Sequence, residues 1–291
     1  MMNRTMTQDI RQIKQEDFPS LLHEIPDPPK TLYAQGKLPG VDTKILAVVG
    51  SRTCTSYGRS TVEFLIDGLR GHNISIVSGL ALGIDGYAHV SALRAGIHTV
   101  AVPGSGLSEK VLYPRSHVRL AKNILENGGA LLSEFEPEHE AAPWTFPKRN
   151  RIMAGMSHAV LMIEAAERSG TLITARLATE YDRELLVVPA SIFADSSKGV
   201  HQFLKLGATP VTTSKDILDV LGIQTGAKKE VAPPTLSARE QEIYELLQEP
   251  LPRDELLEKV SFPTTDANII LSKLELDGVL VEKLGSLRRA R

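Results

Sequence analysis

Ile45-Leu46-Ala47-Val48-Val49-Gly50-Ser51-Arg52 and, after an intervening helical pattern, Ser75-Ile76-Val77-Ser78-Gly79-Leu80-Ala81-Leu82-Gly83-Ile84-Asp85 share one design. Each begins as an apolar, β-branched run and breaks at glycine and small residues before a helix. A run of that kind, without polar alternation, suits a strand buried on both faces of a parallel sheet. The design recurs along the chain. Strands are expected at residues 45–49, 75–78, 99–102, 130–132, 159–163, 185–188 and 209–211. Helices are expected between them at 60–70, 85–94, 117–126, 174–182 and 200–206. Alternation of this kind predicts an α/β fold: an extended Rossmann-like, doubly wound, mostly parallel sheet.

Upstream, Pro26, Pro28 and Pro29 forbid a helix, because each ring fixes its own φ and restricts the residue before it. Residues 1–39 are therefore expected to be a frayed, extended lead-in, and residues 40–221 the Rossmann-like domain. Residues 222–234 hold glycines, prolines and little apolar content, as a linker does. Beyond it, residues 235–291 open on the capping box Ser237-Ala238-Arg239-Glu240. A second helix is expected around Leu256 and Leu257, and a third over 264–276. Two strands, 279–283 and 287–289, flank Leu284-Gly285-Ser286, which completes a small C-terminal winged helix.

The chain has 291 residues, 42% hydrophobic and 23% charged, with a formal net charge of -2. That length supports one sizeable core and a smaller one, and the charge excludes a protein that coats nucleic acid by bulk positive charge. Any polyanion site must be local. Cys54 is the only cysteine, so no intrachain disulfide forms, and a reducing cytoplasm suits the chain. Residues 1–10 lack the apolar core of a leader peptide, and no run reaches the length of a membrane span. A soluble cytoplasmic protein without membrane attachment is expected.

Ligands of open α/β sheets bind beyond the carboxyl ends of the strands. There the chain places Gly50-Ser51-Arg52, the loop 79–85, Pro103-Gly104-Ser105-Gly106 and the loop 164–171 with Ser169-Gly170-Thr171. Any one of these is explained by a tight βα turn. Together they form a rim on which backbone N–H groups and helix N-termini favour phosphate, with Arg52 adding a planar cationic fork. The segment Phe146-Pro147-Lys148-Arg149-Asn150-Arg151 sets three cations in four positions beside Phe146 and Trp144. Cations on successive phosphates and a ring on a splayed base are the construction of a single-strand site. A solvated charge run opening a helix is the alternative, although cations there oppose the helix dipole.

These motifs, in this order, resemble the DprA/Smf DNA-processing family. The resemblance rests on Gly50-Ser51-Arg52, Ser78 to Asp85 with Ala88-His89 and Ala92-Leu93, Gly106-Leu107, Tyr113-Pro114 and Leu132-Ser133-Glu134. It continues through the stretch from Phe146 to Gly155, Glu164-Ala165, and Ser169-Gly170-Thr171-Leu172-Ile173-Thr174-Ala175. It covers about residues 27–221. The resemblance implies a homodimeric, non-enzymatic binder of single-stranded DNA. Such a protein protects incoming strands during natural transformation and helps load the RecA recombinase. Carried onto matching positions, Arg52, Lys148, Arg149 and Arg151 contact DNA. Asn150, Gly50, Ser51, Ser169, Gly170 and Thr171 are the accompanying loop and segment positions. Two departures stand out. Val188-Pro189-Ala190 has alanine where the family usually has glycine, and the residues before Asp27 are too few for the N-terminal domain many members carry.

Three rival readings are weighed. A nucleotide phosphoribohydrolase of related fold needs a catalytic glutamate where Gly170-Thr171 aligns this chain's Thr174, and a hydroxyl cannot replace it. A dinucleotide oxidoreductase needs a glycine repeat after the first strand and an acid ending the second, and neither is present. A winged-helix transcription regulator would read DNA with 264–276, yet Asp266, Lys273 and Glu275 give that helix a poor charge balance. The basic residues there gather instead at Lys283, Arg288, Arg289 and Arg291. Arg52 stands near enough to Cys54 to lower a thiol pKa, but no histidine partner is identifiable. The eight histidines show no ligand spacing, so neither metal nor cofactor is expected.

Overall fold

A computed structural model describes residues 10–224, 236–283 and 285–289. The chain divides into two compact units, Met1–Thr225 and Gly226–Arg291. Most of the expected linker, from residue 225 to 234, lies outside the described residues, as do residues 1–9, Leu284 and Arg291.

The first unit holds β1 (Arg11–Ile13), β2 (Leu32–Gly36), β3 (Lys44–Val49), α1 (Ser56–Asp67), β4 (Ile74–Ser78), α2 (Ile84–Ala95) and β5 (His98–Ala101). It continues with α3 (Val118–Glu126), β6 (Ala130–Ser133), α4 (Thr145–Gly155), β7 (Ala159–Met162), α5 (Thr171–Glu180), β8 (Glu184–Val187), α6 (Lys198–Lys205), β9 (Thr209–Pro210) and α7 (Ser214–Val220). The nine strands lie in the order β1-β2-β6-β5-β4-β3-β7-β8-β9. From β6 to β9 every neighbouring pair is parallel. Side chains of β3 alternate between two cores: Ile45, Ala47 and Val49 face α4, α5 and α6, whereas Leu46 and Val48 face α1, α2 and α7. This is why β3 reads as an unbroken apolar run.

The chain moves outward from β3 to β6, then α4 carries it back to β7 on the other side of β3. The switch point therefore lies between the carboxyl ends of β3 and β7, paired from Leu46↔Ala159 to Val49↔Met162.

The extended lead-in needs correction. β2 pairs antiparallel with β6, from Gly36↔Ala130 to Tyr33↔Ser133, and β1 pairs with β2. Phe18, Leu22 and Ile25, on short turns ahead of the prolines, are buried in the same core as Ile152 and Met153 of α4. Burial of these apolar side chains, each worth about 1.5–3 kcal/mol, holds the lead-in on the sheet despite its helix-breaking composition.

The second unit holds α8 (Ala238–Leu246), β10 (Leu251–Pro252), α9 (Arg253–Lys259), α10 (Thr264–Leu276), β11 (Leu280–Lys283) and β12 (Ser286–Arg289). Its three strands order as β10-β12-β11. The Glu240 carboxylate accepts the Ser237 N–H at 2.7 Å, closing the capping box on α8. Ile243, Leu256, Leu271, Leu274 and Leu287 form a core of its own. Among the described residues no helix is long and apolar enough to cross a membrane, and no cluster of side chains could hold a metal ion.

Candidate nucleic-acid interface

The loops at the carboxyl ends of β3 and β4 interlock. Ile84 donates its N–H to the Ser51 carbonyl at 3.1 Å, and the backbone of Gly83 runs against Ser51 and Arg52. At Gly83 φ is +73°, and a Cβ would stand 2.2 Å from the Ser51 oxygen, so only glycine fits. Gly50 packs on Ile84, and the Ser51 hydroxyl accepts the Thr53 N–H at 3.2 Å. With its backbone fixed in this way, Arg52 points outward, exposed, its guanidinium 5.1 Å from the centroid of Phe146.

Phe146 opens α4. Thr145 beneath it is buried, with its hydroxyl on the Gly104 carbonyl, which ties the start of α4 to the loop after β5. Tyr113 meets Phe146 edge to face at 5.7 Å and is itself half exposed. Trp144 is exposed and packs edge to face on Phe135 and His139. Lys148 lies over Phe135 at 5.7 Å with its ammonium 3.6 Å from Glu134, and 43% of its side chain is exposed. Arg52 thus lies on the Tyr113–Phe146 pair and Lys148 on the group of Phe135, His139 and Trp144.

The expectation of three outward cations in α4 is corrected. Arg149 is 5% exposed and donates to the Val102 carbonyl at 2.5 Å and to Asn150 Oδ1 at 3.0 Å. It lies directly under Gly79, and its charge faces Asp85, whose carboxylate accepts the Gly79 N–H at 3.0 Å. Burial pushes the Arg149 guanidinium down to about 10, against the pull of Asp85, so it stays charged at neutral pH. Burial likewise raises the Asp85 carboxyl, opposed by Arg149 and by the Ala81 and Gly79 N–H groups. Arg151 is buried, bonded to the Asp27 carbonyl at 2.7 Å and to the Glu134 carboxylate. Asn150 is buried with Arg149 as its partner. A guanidinium engaged in this way leaves no fork for a phosphate. Of the cations that oppose the dipole of α4, Arg149 is answered by the buried Asp85, and Arg151 and Lys148 by the mostly buried Glu134.

Ser169, Gly170 and Thr171 lie after β7, on the other side of the switch point. The Ser169 hydroxyl donates to Thr171 Oγ1 at 2.9 Å and accepts the Thr171 N–H at 3.2 Å, so the two side chains close the start of α5 on each other. Gly170 is exposed there and Thr171 buried. Thr174 is buried within α5. The thiol of Cys54 is pushed up by burial and by Glu164, which outweigh Arg59, so the lowering ascribed to Arg52 does not hold. Ala190 does not take a left-handed turn, since Leu80 and Asp182 are the non-glycine residues with positive φ among those described. Sequence reasoning missed Tyr113 as part of the aromatic cluster. Its signal was an aromatic side chain before Pro114 in a loop at the carboxyl end of β5.

With this geometry in hand, comparison with known proteins is direct. Residues 9–222 match the family model of DNA recombination-mediator protein A, and residues 227–285 match the DprA winged helix domain. The chain belongs to the DNA recombination-mediator protein A family. It is 43% identical over 206 residues to Protein Smf of Escherichia coli K12, covering 71% of this chain and 54% of that protein. It is 42% identical over 201 residues to DNA processing protein DprA of Streptococcus pneumoniae, covering 69% of this chain and 70% of that one. The chain thus spans about half the length of the Escherichia coli relative. Among solved structures, DprA from Streptococcus pneumoniae superposes with a TM-score of 0.68 at 39% identity, over 74% of this chain and 75% of that one. DNA processing protein A from Helicobacter pylori, described for a unique single-stranded DNA binding mode, gives 0.65 at 28% identity over 73% and 95%. The mostly parallel α/β sheet and the C-terminal winged helix expected from the strand and helix patterning are those of this family.

Proposed function

We propose that this chain binds single-stranded DNA along the carboxyl rim of its parallel sheet, without catalysing a reaction on it. The observation that carries the reading is the exposed Arg52 guanidinium lying over Phe146, whose ring meets Tyr113, with Lys148 and Trp144, both on Phe135, nearby in sequence at the start of α4. An aromatic ring offers a stacking face to any base, and the two flexible cations meet the phosphates on either side of it. The Helicobacter pylori relative, described for its single-stranded DNA binding, supports the same ligand.

Within that reading the chain is a cytoplasmic DNA-processing protein of natural transformation. It works as a homodimer that shields incoming single strands and helps load RecA onto them. A non-catalytic role fits the replacement of the glutamate of related phosphoribohydrolases by Thr174, a buried hydroxyl. Titration with single-stranded DNA, duplex DNA and nucleoside monophosphates, with product analysis for released base, tests the reading. Tight, salt-dependent binding of the single strand without base release is the expected result. Base release that survives repurification, or monophosphate binding as tight as that of the single strand, overturns it.

A further inference from the structure

In a doubly wound sheet the crevice at the switch point is where phosphate ordinarily meets a helix N-terminus. Here that helix is α1, and its N-terminus already holds an anion. Glu164, 2% exposed at the carboxyl end of β7, accepts the Thr55 N–H at 2.9 Å with Oε2 and the Thr55 hydroxyl with Oε1. Thr55 caps α1, its oxygen accepting the Gly58 N–H at 3.1 Å. The carboxylate lies so close to the first turn that a Cβ on Gly58 would stand 2.5 Å from Oε2. Around the crevice, Glu167 and Asp195 are exposed beside the exposed cations Arg168 and Lys198, the last paired with Asp195 at 2.7 Å, so Glu164 is the buried anion there whose hydrogen bonds go to the start of α1.

We propose that Glu164 is a built-in anion that closes the switch-point crevice to phosphate, so that free nucleotides are refused there. Three features act together. The carboxylate fills the space, it satisfies the N–H and hydroxyl that a phosphate would use, and its charge repels a second anion. The inference goes beyond the DNA reading and does not depend on it, since it concerns what the crevice excludes.

Glu164→Ala in the full chain empties the cradle while leaving Arg52, Phe146 and Lys148 untouched. Thermal melts in inorganic phosphate, matched in ionic strength with chloride, read the result. The wild-type midpoint should not respond, whereas the variant should gain about 3–6 °C once phosphate reaches about ten times its dissociation constant. Single-strand affinity, measured separately, should stay within about twofold of wild type, because the two sites share no side chain. A folded variant that ignores phosphate overturns the proposal, as does a wild-type chain stabilised by phosphate to the same extent. If the variant does not fold in chloride, refolding is repeated with phosphate or formate. Recovery of soluble, monodisperse protein with either anion supports the proposal, and aggregation in both overturns it.

Discussion

The guanidinium of Arg52 lies over the ring of Phe146, 5.1 Å from its centroid, although one comes from the loop after β3 and the other from the first turn of α4. Gly83 fixes the backbone that carries Arg52, and the Thr145 hydroxyl on the Gly104 carbonyl fixes the helix that carries Phe146. The pair is therefore presented by rigid elements, which lowers the ordering cost of binding a flexible strand.

The two members of this pair should fail differently. Arg52→Ala removes a phosphate contact, weakening single-strand binding and reducing the slope of log K against log salt by about 0.7. Phe146→Ala removes a stacking face, at about 1–3 kcal/mol, and leaves the salt slope unchanged. Fluorescence titrations over a range of salt concentrations separate the two. Equal slopes for wild type and Arg52→Ala would place the phosphate contact elsewhere.

Lys148 and Arg149 are neighbours in sequence with opposite roles. Lys148→Ala should weaken DNA binding with little change in the denaturation midpoint, because its ammonium is exposed and its pairing with Glu134 is long. Arg149→Ala leaves the buried Asp85 without its opposing charge and should cost about 3–5 kcal/mol of stability. Adding Asp85→Asn to the second variant should recover part of that loss in urea melts. No recovery would mean that the two charges are not coupled.

These roles explain what the sequence could and could not disclose. The strands β3, β4 and β7 were legible because burial on both faces leaves a uniform apolar run, and α10 because its apolar residues keep the helical period. The strands β1 and β2 were not, since residues 11–13 and 32–36 are short and mix polar with apolar side chains. At the site, Arg52 was legible as a cation in a glycine loop. The inward turn of Arg149 and Arg151 was not, because their acidic partners Asp85, Glu134 and Asp27 lie on other elements. A run of cations in sequence carries no sign of which side chains the fold will neutralise.

Acid should weaken the first unit through its histidines. Burial, then the neighbouring His117, lowers His89 to about 3, and burial also lowers His98 and His158. Protonation of His158 would further remove the Nδ1 lone pair that accepts the Ile45 N–H at 3.1 Å. Below the ordinary histidine value of 6.5 the unfolded chain takes up protons that these folded side chains refuse. Stability is therefore fully present above about pH 6.5 and falls with pH below it, by up to about 1.4 kcal/mol per pH unit for each histidine that stays neutral in the fold, a fall that for His89 continues to about pH 3. Urea midpoints measured between about pH 6.5 and 4.5 should show the fall, and His89→Leu should reduce the slope by about one proton. An unchanged slope in that variant would remove His89 from the account.

The two units should divide the work unequally, because the second spends its charges on itself. On α10, Lys273 is held by Glu240 at 2.7 Å and Asp266 by Arg239 at 2.9 Å, while Ile269 and Leu276 are 65% and 88% exposed. Arg253 is shared by Glu275 and Glu282, and Arg289 lies 4.0 Å from the Tyr244 centroid with its Nε–H on the Tyr244 carbonyl. A recognition helix with an engaged cation and apolar residues on its open face is poorly suited to a phosphate backbone or a base edge. Arg52, Phe146 and Lys148 all belong to the first unit, whose core is its own. A chain ending at residue 224 should therefore fold alone and keep most of the single-strand affinity, with a salt slope no more than about one unit shallower than that of the full chain. Circular dichroism melts check the folding, and parallel titrations of the truncated chain and of residues 236–291 check the binding. If the C-terminal unit alone binds as tightly as the full chain while the truncated chain binds nothing, the DNA site belongs to the winged helix and not to the sheet rim.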